Sequence, residues 1–412
     1  MIVRPFKAIR PKKEFASKVA AKPYDVISSE EARKIFKSNP LSFYQINKPE
    51  VNFDEPIEPS DDRALEVAKK NLERMIAEKI FIQDEEPCFY VYKQVAPDHV
   101  QIGLVATFSV DEYLSNKIKK HELTRKDKED ERVKHILYLK AQTGPVFLMY
   151  RSNESIDKLI IEETNKEPEY DFVDEDGVRQ VVYLVKDKEK IESIKKAFEK
   201  VDSFYIADGH HRAAAAVRAA LMLREENKNY TGEEEFNYFL AVLFPHSHLR
   251  IYDYNRVVKD LNGLKPEEFL KALEEKFEVQ PAPETPYKPK KAHEFGMYLE
   301  GKWYVLKITE KFIDASDPVK SLDVSLLQEH VLSPILGIKD PRTDKRIDFV
   351  GGIHGLKALE EYVDNKGWAV AFSMYPTSIE DLMKVSDSGQ IMPPKSTWFE
   401  PKLKSGLFIH AI

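Results

Sequence analysis

A single cysteine, Cys88, stands in 412 residues, so no intrachain disulfide can staple this chain. Nowhere does it run to the roughly 18 uninterrupted apolar residues that a membrane-crossing helix requires, which excludes a helical membrane anchor. The opening Met1-Ile2-Val3-Arg4-Pro5-Phe6-Lys7 lacks the apolar centre and small-residue cleavage site of a secretory leader, and a cytoplasmic location is expected. Cationic residues are not in excess either. With 63 Lys and Arg against 70 Asp and Glu the formal charge is -7, so nothing draws the whole chain toward nucleic acid or an anionic membrane, and any anion site must be local. Internal repeats and a helix-turn-helix pattern are also missing.

What is present is a folded composition, 42% hydrophobic and 32% charged, over a length that calls for two lobes. The expected division is 1–259 and 260–412, the second lobe being α+β with a C-terminal loop returning to the active site. Ser28 followed by Glu31 predicts a capped helix running to Ser38, and the spacing of Leu65, Ala68, Leu72, Met75 and Ile76 predicts another over Asp61 to Glu78. Cys88 to Val95 and Val100 to Val110 read as a hairpin, and Lys117 to Gln142 as a charged loop followed by a long helix. Strands at Pro145 to Tyr150, Val181 to Val185 and Ser203 to Ile206 alternate with helices at Ser155 to Thr164, Lys188 to Lys200 and His210 to Glu226. Tyr238 to Phe244 and Leu249 to Tyr254 are expected to close the first lobe. The fold class is therefore mixed, α/β to α+β.

Chemistry concentrates at Ala207-Asp208-Gly209-His210-His211-Arg212, where an apolar strand ends and a helix opens on a run of alanines. Gly209 permits a tight turn, and the helix start offers unpaired amides to an anionic oxygen. Arg212 adds a planar fork for phosphate or carboxylate, and the two imidazoles can donate hydrogen bonds or move protons. Helix capping alone explains one such polar residue but not four consecutive polar or glycine positions. A zinc pair is disfavoured, because no third His or Cys lies at customary spacing. Two weaker clusters follow. Lys119 to Arg132 contains His121, Glu122, Thr124 and Arg132, suited to phosphate neutralisation but readable as a solvated face. Met392 to Leu403 contains Lys395, Ser396 and Thr397 on a proline-stiffened approach, with Trp398 and Phe399 either covering a site or plugging a core.

The arm Lys22-Pro23-Tyr24-Asp25-Val26-Ile27, together with His121-Glu122-Leu123-Thr124, the Asp208 to Arg212 turn and Met392 to Pro401, resembles a widespread prokaryotic family of unknown function. The turn is also similar to the nucleotide-binding element of the ParB/sulfiredoxin-like superfamily, which includes free-serine kinases that phosphorylate L-serine. That resemblance implies a ParB/sulfiredoxin-like element within a larger two-lobed body and an ATP-dependent (or ADP-dependent) kinase acting with Mg2+ on a small hydroxylated metabolite, L-serine first among candidates. It implies phosphates against Gly209, His210, His211 and Arg212, with His121, Thr124, Arg132, Lys395, Ser396 and Thr397 as further nucleotide contacts. Asp25, Glu122 and Asp208 are the candidate bases, and Glu122 and Asp208 the candidate metal ligands. A small-molecule partner, no nucleic acid, no membrane and compatibility with a homo-oligomer complete the expectation. A phosphate-ester hydrolase and a nucleotide-responsive binding protein are the alternatives.

Overall fold

Val100 and Val95 flank the turn Ala96-Pro97-Asp98, and in the computed structural model, which describes Met1–Ile412, they end the two strands of the expected hairpin. These strands, β1 (Phe89–Val95) and β2 (Val100–Ser109), sit near the middle of an eight-stranded mixed sheet. Its other members are β3 (Ile118–Lys119), β4 (Val146–Tyr150), β5 (Tyr170–Val173), β6 (Arg179–Val185), β7 (Phe204–Asp208) and β8 (Tyr238–Pro245). The order across the sheet is β3-β7-β4-β8-β2-β1-β6-β5. β3 runs parallel to β7 and β4 parallel to β8, while the remaining pairs are antiparallel.

Central strands such as Val146–Tyr150 are apolar at every position because both faces are covered. One face packs Leu104, Phe108, Leu148 and Ile206 against the alanine-rich side of helix α2 (His210–Glu226), where Ala213, Ala215, Ala216, Ala219 and Ala220 are buried. Small side chains let this helix lie close to the sheet, and α1 (Lys126–Leu139) packs beside it. A second cluster of Phe43, Ile46, Leu72, Met75 and Phe81 sits under the N-terminal helices. The predicted helices there form as Ser29–Ser38, with Ser28 accepting from the Glu31 amide at 3.1 Å, and Asp62–Ala77. Cys88 is buried at the start of β1.

The chain divides into two units, Met1–Leu249 with Pro401–Ile412, and Arg250–Glu400. The expected cut after residue 259 is displaced for a topological reason. Ile251–Tyr252 pairs with Trp398–Phe399, and β9 (Tyr254–Val258) pairs with residues 347–351, so the segment expected to close the first lobe opens the second unit instead. That unit holds a six-stranded antiparallel sheet with β10 (Phe277–Pro281), β11 (Glu294–Leu299), β12 (Lys302–Ile308), β13 (Ile347–Gly351) and β14 (Val370–Ser373), ordered β10-β12-β11-β14-β9-β13. No helix of the chain is long and apolar enough to cross a membrane.

Candidate functional site

β7 shifts register against β4 between Ile206 and Asp208, so Ala207 is the extra residue and Asp208, paired with Phe147, ends the strand. Gly209 follows with φ 88° and ψ 34°, a left-handed conformation that favours glycine, and caps α2 without any side-chain hydrogen bond. The first amides of α2 are thus left without a capping side chain, beside the positive end of a 17-residue helix.

Parallel pairing of Ile118 and Lys119 with Phe204 and Tyr205 carries the next residues alongside Ile206 to His210. In this way a cluster distant in sequence reaches the turn. The His121 ring is fully buried and stands edge-on to His210, with centroids 4.4 Å apart. The His121 amide donates to His210 Nε2 at 3.3 Å, and the Arg125 amide to His211 Nε2 at 3.1 Å. Both acceptor nitrogens are therefore unprotonated, so the neutral rings carry hydrogen on Nδ1. His210 Nδ1 faces Glu122 Oε2 at 3.5 Å. Burial pushes His121 and His210 down to about 3, with nearby Asp208 opposing the shift at His210. Burial and Lys128 also lower His211.

Asp208 is answered by two cations, Lys402 Nζ at 3.5 Å and Arg212 Nη2 at 3.8 Å. Burial would raise its carboxyl, but Lys402 and Arg212 outweigh it and hold the group well below the usual range. Arg212 itself donates to the Pro145 carbonyl at 2.5 Å. Its guanidinium is raised on balance, because Asp25, Asp208 and Tyr24 more than offset burial. Lys402 belongs to the same C-terminal motif as Lys395, and only the return of residues 401–412 to the first unit distinguishes the two.

The structure thus gathers His121, Glu122, Asp208, Gly209, His210, His211 and Arg212. Asp25 is exposed beside Tyr24, whose ring stacks under Arg132 at 3.7 Å, and the Thr124 hydroxyl is engaged by Glu129. Lys395, Ser396 and Thr397 lie in the second unit, where Ser396 Oγ donates to the Pro393 carbonyl at 2.5 Å and the Ser396 carbonyl accepts from Thr377 at 2.9 Å.

His121, Glu122 and His210 bring potential metal-ligand atoms within 4.8 Å of one another. This trio does not make a magnesium site by itself. His210 uses one nitrogen on a backbone amide and turns the other, bearing hydrogen, toward Glu122, while Asp208 is held by cations outside the group. Glu122 alone remains as a hard oxygen ligand, and Mg2+ asks for several.

Among solved structures, the chain is similar to a free serine kinase in complex with AMP, at 14% identity and TM-score 0.36 over 72% of this chain and 86% of that one. It is similar to a conserved hypothetical protein from Pyrococcus furiosus at 14% identity and TM-score 0.35, covering 73% and 93% of the two chains. A third likeness, at 11% identity and TM-score 0.35 over 73% and 84%, is to SbnI with a C-terminal truncation from Staphylococcus aureus. No curated protein sequence matches. The Tyr24 arm, the His121-Glu122 segment and the Asp208 to Arg212 turn all fall within residues 3–325, which match the model of the family described as "Protein of unknown function (DUF1015)", and the chain belongs to that family.

Proposed function

We propose that the first unit binds a nucleotide through its phosphates at the Gly209 to Arg212 turn and transfers a phosphoryl group to the hydroxyl of a small metabolite. The observation that carries this reading is the uncapped start of α2 at a left-handed Gly209, flanked by Arg212 and by buried imidazoles. Such a start offers amides and a positive dipole end to phosphate oxygens, and the adjoining cations can neutralise charge as it develops. ATP is the donor to test first, and L-serine the first acceptor, the latter resting on the resemblance of the Asp208 to Arg212 motif.

Catalysis of this kind is mostly positioning and charge stabilisation. Of the three candidate bases, Asp208 is the poorest, since Lys402 and Arg212 hold it ionised with little affinity for a proton. Glu122 is half-buried and has His210 Nδ1–H 3.5 Å from one oxygen. In the proposed step the acceptor oxygen attacks the terminal phosphorus, its proton passes to Glu122, and the bond to the leaving nucleoside diphosphate breaks. Glu122→Gln removes the proton acceptor at nearly constant shape, and turnover should fall roughly 10²–10⁴-fold. Phosphorus NMR of the full chain with Mg2+, ATP or ADP and a pool of hydroxylated amino acids reads donor and product together. A phosphate ester of one acceptor supports transfer; free phosphate alone supports hydrolysis; unchanged turnover in Glu122→Gln removes Glu122 from the step.

A further inference from the structure

Behind the turn, the first unit holds a half-open cavity of about 30 Å³ whose wall includes Tyr24, Asn47, Arg132, Thr143, Gly144 and Arg212. Three of these side chains keep a buried nitrogen with no hydrogen-bond partner: Asn47 Nδ2, Arg132 Nε and Arg212 Nε. All three atoms are donors, and a buried donor left unpaired is costly because it has given up its hydrogen bond to water. The Asn47 acceptors on the same wall are already taken. Asn47 Oδ1 accepts from Thr143 Oγ1 at 2.9 Å and from Arg132 Nη1 at 3.4 Å, and the Asn47 carbonyl accepts from Arg132 Nη2 at 3.1 Å.

Charge points the same way. Arg132 is 5% exposed and Arg212 8%, so two permanent cations sit almost out of water. Neither is held by a bidentate carboxylate: Glu131 lies 3.6 Å from Arg132, and Asp208 lies 3.8 Å from Arg212 while also facing Lys402 at 3.5 Å, with Asp25 acting on Arg212 through its charge alone. Buried guanidinium groups ordinarily hold a bidentate carboxylate partner, as Arg10 holds Asp84 elsewhere in this unit at 2.8 and 2.9 Å. A volume of 30 Å³ exceeds the roughly 10–15 Å³ that one water needs, and suits a small oxygen-bearing group rather than a nucleoside.

We propose that this cavity is an oxyanion subsite in which Arg132, Arg212 and Asn47 hold the carboxylate or phosphate group of a small ligand. Arg212 links it to the turn, because the same guanidinium packs against Gly209 on one side and lines the cavity on the other. The subsite deepens the phosphotransfer reading, on which only its assignment to the acceptor's own anionic group rests.

The test is thermal denaturation and calorimetric titration of the full chain with sodium acetate and with sodium phosphate, against sodium chloride at matched ionic strength. Wild type is expected to bind at least one oxyanion beyond the chloride effect. Binding of acetate alone assigns a carboxylate, and binding of phosphate assigns a phosphate group. Arg132→Lys keeps the charge but removes the fork and Nε–H, and should weaken that binding at least tenfold. Gly144→Ala is the folding-safe companion, since the added methyl meets Ser405 Oγ at 3.5 Å and Arg212 Cδ at 3.6 Å, ordinary contacts, on the cavity wall. It should weaken binding in the same direction. ATP affinity of Gly144→Ala, measured separately, should stay within about threefold of wild type, which distinguishes failure of the subsite from failure of the nucleotide reading. Absence of oxyanion binding in wild type, or wild-type binding in both variants, overturns the proposal.

Discussion

Replacing Gly209 by alanine separates backbone strain from ligand approach. At φ 88° a side chain costs about 1–2 kcal/mol by clash with its own backbone. The new methyl would also stand 3.1 Å from Arg212 Cζ, 3.2 Å from Nε and 3.3 Å from Nη2, so the guanidinium must give by a few tenths of an ångström. Gly177→Ala supplies the control, because Gly177 has φ 79° and a methyl there meets nothing within 4 Å. Both variants should lose a few degrees of melting temperature for the backbone term. Only Gly209→Ala should also weaken nucleotide binding, by tenfold or more, equivalent to about 1.4 kcal/mol or greater. Calorimetric titration with ATP and a thermal scan of each variant provide both readouts. Equal ATP affinity in the two variants would refute the placement of phosphates against this turn.

Further predictions concern stability. His135 is buried, places Nε2 2.9 Å from the Ile46 carbonyl as donor, and is pushed down to about 3 by burial and then by Arg132. Because the folded value lies below the unfolded value of about 6.5, the unfolded chain takes up the proton first as pH falls. Its contribution is complete above about 6.5 and is lost between there and about 3, at about 1.4 kcal/mol per pH unit. Urea denaturation at pH 7 and pH 5 should therefore show His135→Gln losing about 2 kcal/mol less than wild type over that interval, and an identical loss would count against the reasoning. Arg10 and Asp84, 3% and 7% exposed, form the bidentate pair of this unit, and Tyr90 donates to the same carboxylate. Arg10→Met strands a buried charge and should cost about 3–5 kcal/mol, whereas Arg10→Met with Asp84→Leu should recover most of it. Chemical denaturation in which the double variant is no better than the single would refute this.

Local signals were readable wherever chemistry and burial agree along a short stretch. The Ser28 cap, the amphipathic Asp62–Ala77 helix, the hairpin around Ala96-Pro97-Asp98 and the helix at His210–Glu226 each follow from residues within one element. The short helix Ile379–Asp387, which buries Leu382, Met383 and Val385, does not follow from the sequence reading, although Ser378 caps it by accepting from the Asp381 amide at 3.0 Å and is the available signal. The strand Phe277–Pro281 also escaped notice, being mostly exposed and ending in a proline that reads as a connector.

A glycine turn bearing imidazoles and a guanidinium, opening a helix behind a buried strand, is legible in residue order, because strand period, glycine conformation and alanine-lined packing are local properties. Tertiary structure alone decided what surrounds that turn. Parallel pairing of β3 with β7 brings His121 and Glu122 beside His210, the return of residues 401–412 gives Asp208 its partner Lys402, and Arg132 and Arg212 reach one cavity from different helices. Such meetings depend on strand order and chain return, which residue spacing does not encode.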